Sequence, residues 1–439
     1  MLQTLINAFR VKDIRDRLFF TFLMLIVIRI GSQLPVPGVN GEVFSSWFNS
    51  YAGGFGFFDM ITGGSFSSMS LFALSISPYI TSSIIMQLLT IAIPALEEMQ
   101  KDGEEGKKKM QNITRYVTVG LALIESSAMT YGFSNSGYLT EKGFLNALMV
   151  VIALTAGSTV LMWIGERITE KGIGNGISII LVINILSNIP SDINRLLNQF
   201  VFKKGWITGI ISTIIIFAVI ILLVVFVIIL QGGERRIPVQ YSKKVQGRKQ
   251  VGGQQTHIPI KVNTAGVIPV IFAQSLLQTP IIIASLAGWD GTAKKTIGQK
   301  ILYGLNQANW CNPKEPIYTI GLIIYIALII AFAYFYTQIS FNPLEIANNL
   351  KKSGGFVPGL RPGKTTSDYL AQVVNFIVFI GAIGLTIVAF LPIFFNGVFG
   401  ATVSFAGTSI IIVVGVIIET VKQVESKMLE RNYKGFLNL

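Results

Sequence analysis

Two residues limit the chemistry open to this chain. His257 is its single histidine and Cys311 its single cysteine, so the nitrogen and sulfur ligand sets that hold zinc cannot be assembled from it and no internal disulfide can form. The stretch GLRPGKTT at 359–366 copies the end of a phosphate-binding loop in Gly363-Lys364-Thr365, but the required first glycine is replaced by Pro358. A proline-rich loop between helices also lacks the strand-to-helix turn whose amides cradle phosphate. No catalytic residue, metal or cofactor is expected.

What remains is a short list of ionisable groups inside apolar runs, where a charge costs about 2.5–3.5 kcal/mol on insertion scales. Arg29, Glu125 and Glu419 make up that list. Glu419 lies near a span end and reads as a charge at the interface. Glu125 fits either a structural hydrogen bond to a neighbouring helix or a role in gating or transport. So few carboxylates argue against a proton pump.

The elements that must carry these groups are membrane helices. Of 439 residues, 51% are hydrophobic and 13% charged, against about 25% charged in an ordinary soluble domain, and mean hydropathy is +0.61. Apolar runs of about 20 residues predict spans near 18–35, 71–93, 114–133, 145–165, 177–190, 207–230, 264–287, 317–338, 373–394 and 404–421. The fifth is short, with Gly172, Gly174 and Gly176 marking its start. Ten crossings put both termini on one side. That side collects 26 of the 35 Lys and Arg residues against 8 opposite, with Arg29 inside the first span, so the positive-inside rule predicts cytosolic termini. The basic N-terminal segment resembles a signal sequence, but no small-x-small cleavage pattern follows, so retention as a helix is expected.

Two features depart from plain spans. Residues 53–70 are semi-apolar, rich in Gly and Ser and too short to cross, which suits either a re-entrant segment sheltered by protein or an ordinary outer loop. The loops 231–263 and 339–372 are large and polar. Arg235, Arg236, Lys243, Lys244, Arg248 and Lys249 form a cationic surface that fits RNA phosphates, an acidic protein face or anionic lipid headgroups. Charge bias alone also accounts for it. The second loop, KKSGGFVPGLRPG, carries Lys351, Lys352 and Arg361 beside Phe356 and Leu360, which are expected to be exposed, so protein contact is favoured there.

Along nearly its whole length the chain resembles the SecY family, the central subunit of the bacterial protein-conducting channel. The resemblance rests on RIGSQLPVPGV at 29–39, LFALSISPYITSSIIMQLL at 71–89, ERITEKGIGNGISII at 166–180, ERRIPVQY at 234–241, KVNTAGVIPVIFAQSLL at 261–277 and FNPLEIANNLKKSGGFVPGLRPGKTT at 341–366. It implies an all-α polytopic membrane protein of ten transmembrane helices in two pseudo-symmetric five-helix halves, residues 1–200 and 201–439, around an hourglass pore. The implied pore ring is Ile76, Ile80, Ile177, Leu181, Ile271 and Ile412, an apolar constriction that dewets when empty and does not coordinate its cargo. The implied plug is a short, mobile helix within 53–70, with Phe57, Phe58, Asp59, Met60, Ile61, Gly63 and Gly64, and little buried apolar area. Thr81, Glu125 and Asn263 match a polar contact across a lateral gate, with Glu125 standing where many relatives have glutamine. Arg235, Arg236, Arg248, Lys249, Lys351, Lys352, Arg361 and Lys364 fall in the loops that would meet the SecA ATPase motor and the ribosome.

The implied function is a passive, gated channel that moves unfolded secretory proteins and releases hydrophobic segments into lipid. SecE-type and SecG-type subunits, signal sequences and membrane lipids are the further implied partners. From residue types alone, a secondary transporter of a small solute with Glu125 as coupling group, and a ribosome receptor without a pore, remain alternatives.

Overall fold

The computed structural model describes residues 9–141, 143–198, 206–241, 244–246, 249–251, 255–286, 296–313, 315–399 and 408–437. In chain order its helices are α1 (Lys12–Gly31), α2 (Gly41–Thr62), α3 (Ser77–Ala92), α4 (Pro94–Lys101), α5 (Gly103–Ser136), α6 (Phe144–Lys171), α7 (Gly176–Leu197), α8 (Trp206–Gly232), α9 (Ile268–Leu286), α10 (Ile297–Leu305), α11 (Ile320–Ser340), α12 (Pro343–Lys352), α13 (Lys364–Phe399) and α14 (Thr408–Leu437). Helices α1, α3, α5 to α9, α11, α13 and α14 stand at the ten expected span positions.

Among the described residues five segments can cross a bilayer on length and composition alone, and a sixth is added if α3 and α4, bent by 104°, count as one. The others are charged or short for identifiable reasons. Helix α1 contains Arg29, α5 opens with the charged run GEEGKKK, and the described apolar part of α9 is only Ile268–Ile281. The bend at Ile93 follows from Pro94, which holds the preceding residue in extended geometry (φ −115°, ψ 108°). Helix α8 turns Ile221, Leu222 and Ile229 outward, 61, 64 and 66% exposed, a surface suited to lipid rather than water.

Helix α7 corrects one expectation. It runs through Pro190 to Leu197, 22 residues, rather than stopping near 190. Neighbouring groups can re-satisfy the backbone that a proline frees inside a membrane helix.

The re-entrant stretch also differs. The helix starts at Gly41, where the Asn40 side chain accepts from Val43 N, passes through Gly53-Gly54 and ends at Gly63 in the left-handed region (φ 69°). The expectation of little buried apolar area fails for its described end. Met60, Ile61, Phe66 and Met69 are all buried, and Phe66 packs edge-on against Phe44 at 5.5 Å.

Within an all-α expectation, the two large polar loops form strands. β1 (Glu234–Tyr241) pairs antiparallel with β4 (Gln255–Lys261), and β5 (Gly355–Phe356) of the other loop adds to the far edge of β1, giving the order β4-β1-β5. β2 (Lys244–Gln246) and β3 (Lys249–Val251) form a separate hairpin. Alternation in β1 buries Ile237 and Val239 against Leu350 of α12 and Leu370 and Val374 of α13. Leu360 packs against this same cluster and Phe356 is half-buried in β5. Their apolar character therefore serves the fold, which corrects their reading as exposed contact residues.

Candidate pore and seam

The motif GIGNG builds the start of α7. Gly174 takes φ +81°, the Asn175 side chain accepts from Ile177 N and Ser178 N, and Gly176 lies so close to α6 that a Cβ there would stand 1.9 Å from the Gly165 carbonyl oxygen. This close approach fixes where Ile177 and, one turn later, Leu181 point. Ile76 is the N-cap of α3 with Ile80 one turn on, and Ile271 and Ile412 lie in the opening turns of α9 and α14.

These six residues, spread over 337 positions of sequence, belong to one apolar cluster. Ile76, Leu181, Ile271 and Ile412 are buried, while Ile80 and Ile177 are partly buried at its margin. Met60 and Ile61 of α2 sit in the same cluster. The side chains of Phe57 and Phe58 lie outside the described residues. Asp59 Oδ1 accepts from Ser67 N at 2.9 Å, folding the segment after α2 back on it, and Gly63 and Gly64 take φ of +69° and +81° in that turn.

Beside the cluster lies a cavity of about 500 Å³, edged by Ile80 and Ile177 and walled by α3 and α7 on one side and by Ile268, Phe272 and Tyr336 on the other. Glu166 faces it, accepting from Arg115 Nε at 2.8 Å and Gln111 Nε2 at 3.1 Å.

The contact between α3 and the helices α9 and α11 differs from the triad implied by resemblance. No hydrogen bond joins Thr81, Glu125 and Asn263 to one another; Thr81 and Glu125 are half-buried, and Asn263 Nδ2 is buried without a partner among the described residues. Instead the Tyr336 hydroxyl donates to Gln87 Oε1. Ile84 packs with Phe272 and Tyr336, whose rings meet edge-on at 5.6 Å. Gln87 and Tyr336 were not legible as partners because 249 residues separate them. Asn184, Ser187 and Asn188 of α7, which hydrogen-bond the end of α2, were also passed over. Two amides four residues apart in an apolar span are the signal that marks them.

On the two large polar loops, Arg235, Arg236, Lys351, Lys352, Arg361 and Lys364 are exposed. Arg248 and the side chain of Lys249 lie outside the described residues. Arg236 is not a free cation. Its Nε donates to Glu234 Oε1 at 2.7 Å, and that bond holds the Glu234 carboxyl below the usual range. Lys351 and Lys352 end α12, where the helix dipole favours cations. Arg361 sits between Gly359 and Gly363, both at positive φ.

Helices at the ten expected span positions, with one apolar cluster drawn from α2, α3, α7, α9 and α14 among others, define the class as a polytopic helical membrane protein. The SecY family model matches residues 70–421. Over the full length of both chains, this one is 42% identical to the protein translocase subunit SecY of Halalkalibacterium halodurans and 43% identical to that of Bacillus subtilis. The chain belongs to the SecY family, whose members are translocase subunits and not enzymes. Its fold is that of a solved protein-conducting channel, with a TM-score of 0.67 at 20% identity over 94% of this chain and 92% of that one. A Sec61 channel from a canine ribosome complex gives 0.63 at 19% identity with the same coverage. The small-solute transporter alternative has no support among these relatives.

Proposed function

We propose that this chain is the pore-forming subunit of a bacterial translocase, a passive, gated channel that moves unfolded secretory proteins across the cytoplasmic membrane. The observation that carries this reading is the gathering of Ile76, Ile80, Ile177, Leu181, Ile271 and Ile412 into one cluster with Met60 and Ile61 of α2. An apolar ring suits a channel for arbitrary sequences, because it dewets when empty and forms no specific bond that each cargo would have to break. Residues 1–200 and 201–439 act as the two halves, hinged between α7 and α8, and α2 with its following turn acts as the plug. A signal sequence enters the cavity beside the ring, parts α3 from α9 and α11, and opens a path for hydrophobic segments into lipid; Thr81, Glu125 and Asn263 line that gate.

Both termini are cytosolic, and the sheet-bearing loops there receive the partners. Two structural relatives are a ribosome–channel complex and a ribosome-bound Ssh1 complex, which favours a ribosome contact through Arg235, Arg236, Arg248, Lys249, Lys351, Lys352, Arg361 and Lys364. A SecA-type motor, a SecE-type clamp and a SecG-type subunit complete the working complex. Reconstitution tests the reading. With small subunits, motor and ATP in liposomes, an unfolded preprotein becomes protease-protected only when this chain is present. Protection that persists without the chain, or saturable small-solute flux in its place, contradicts it.

A further inference from the structure

Ile177, Leu181, Asn184 and Asn188 are spaced four, three and four residues apart, so they fall along one face of α7. The first two belong to the cluster at the waist. The next two are amides on the same line, beyond the ring. Each donates to a carbonyl at the end of α2. Asn184 Nδ2 donates to the Ile61 carbonyl at 3.0 Å and to Ser75 Oγ at 3.2 Å, Asn188 Nδ2 donates to the Asp59 carbonyl at 3.4 Å, and the Ser187 hydroxyl shares its proton between the Asn184 carbonyl of its own helix at 2.7 Å and the Gly63 carbonyl at 3.2 Å. Asn184 is 2% exposed. All three contacts with the plug end on main-chain carbonyls at the end of α2; the Asp59 carbonyl also accepts from Gly64 N at 3.1 Å and Thr62 Oγ1 at 3.0 Å, so Asn188 adds to a carbonyl already capped.

We propose that Asn184, Ser187 and Asn188 form a binding site for the main-chain carbonyls of an extended polypeptide, filled by the plug in the closed channel and by the translocating chain once the plug has left. The proposal rests on the channel reading above. Three arguments support it. Donors aimed at main-chain carbonyls ignore side-chain identity, which is what cargo of arbitrary sequence requires. The row continues the ring's own face of α7, so a chain leaving Ile177 and Leu181 passes along it. The spacing also fits, since four residues of helix rise about 6 Å while carbonyls two apart on an extended chain repeat at about 6.6 Å. The plug is then a resident stand-in for cargo, and the exchange is bond for bond. Departure of the plug without cargo removes the Ile61 carbonyl from Asn184 and the Asp59 carbonyl from Asn188, while Ser75 and the Asn184 carbonyl still serve Asn184 and Ser187; the lost amide bonds are costly, so the arriving chain itself favours opening. Ser75, the second acceptor of Asn184, adjoins Ile76 and ties the site to the ring.

The test uses the reconstituted complex with Asn184→Leu, which keeps the volume and removes the donor, and Asn188→Leu. Two quantities are read: resting ion conductance, and the lifetime of a preprotein arrested midway by a folded domain after ATP is withdrawn. The proposal expects Asn184→Leu to raise resting conductance roughly tenfold and to shorten the arrested lifetime about threefold, with smaller changes of the same sign for Asn188→Leu. Unchanged conductance overturns the closed-state half of the proposal. Raised conductance with an unchanged or longer lifetime reduces the row to a plug latch and overturns the cargo site. If Asn184→Leu fails to insert, Asn188→Leu carries both readouts alone. A wild-type complex that arrests no chain strikes the channel reading itself, a different failure.

Discussion

The Tyr336 hydroxyl donates to Gln87 Oε1, fastening α11 to α3 across the proposed seam. Removing that hydroxyl with Tyr336→Phe keeps the aromatic packing against Phe272 and deletes a bond worth about 1 kcal/mol. The expected outcome is roughly fivefold greater export of a preprotein with a weakened signal sequence. Unchanged export of that substrate, measured against a normal one, places the closing energy elsewhere.

At the other side of the waist, Gly176 leaves no room for a Cβ beside the Gly165 carbonyl. Gly176→Ala therefore pushes α7 off α6 and displaces Ile177 from the ring. Overpacking of this kind costs about 1–3 kcal/mol, and the resting channel is expected to leak ions while Gly232→Ala, which meets nothing, does not. Equal leak from both variants contradicts the close-packed start of α7.

Glu166 is 7% exposed and paired with Arg115, which is 36% exposed. Breaking a fully buried pair costs about 3–5 kcal/mol; with one partner partly in water, Arg115→Leu is expected to cost about 2 kcal/mol. The double change Arg115→Leu with Glu166→Leu should recover most of that loss in a thermal unfolding series in detergent. A double variant no more stable than the single one shows that the two side chains act separately.

Salt dependence separates the roles of the two loop arginines. Arg236 spends part of its charge on Glu234, whereas Arg361 is exposed between two turn glycines. If both meet ribosomal phosphate, Arg361→Ala lowers the slope of binding against log salt by about one contact. Glu234→Gln frees Arg236 and strengthens binding at low salt. Ribosome binding insensitive to both changes removes these side chains from the interface. Because Glu234 is held below the usual carboxylate range by Arg236, its ion pair is intact at neutral pH and is lost only as pH falls through that lowered value. The low-salt gain from Glu234→Gln is therefore expected to shrink in acid.

Much of the architecture was legible because membrane helices announce themselves in one dimension. About 20 apolar residues in a row suffice, and α6, α8 and α11 follow directly. The ring was not legible from residue type. Ile412 stands in the run IIIVV, and only the packing of α14 against Leu181 and Ile271 distinguishes it from its neighbours. Family motifs supplied the positions, and the fold shows that they meet. Pairings across long separations stayed hidden for the same reason. Alternation in ERRIPVQY hints at a strand, but β5 is two residues long and exists only because Gln240 and Tyr241 offer it an edge. The segment proposed as the plug misled through composition, because glycine and serine suggest looseness while Asn184 and its neighbours, far along the chain, hydrogen-bond its end.

The central claim is that a polypeptide passes the waist. Replacing Cys311 by Ser leaves a cysteine-free chain, into which one cysteine is placed at Ile412, or at Ile221 on the outward face of α8 as a control. A ribosome-stalled secretory chain with a single cysteine is then exposed to mild oxidant. The account predicts a disulfide adduct at position 412 and none at 221. No adduct at 412 across several stall lengths, with ribosomes still docked, contradicts it and favours a receptor without a pore.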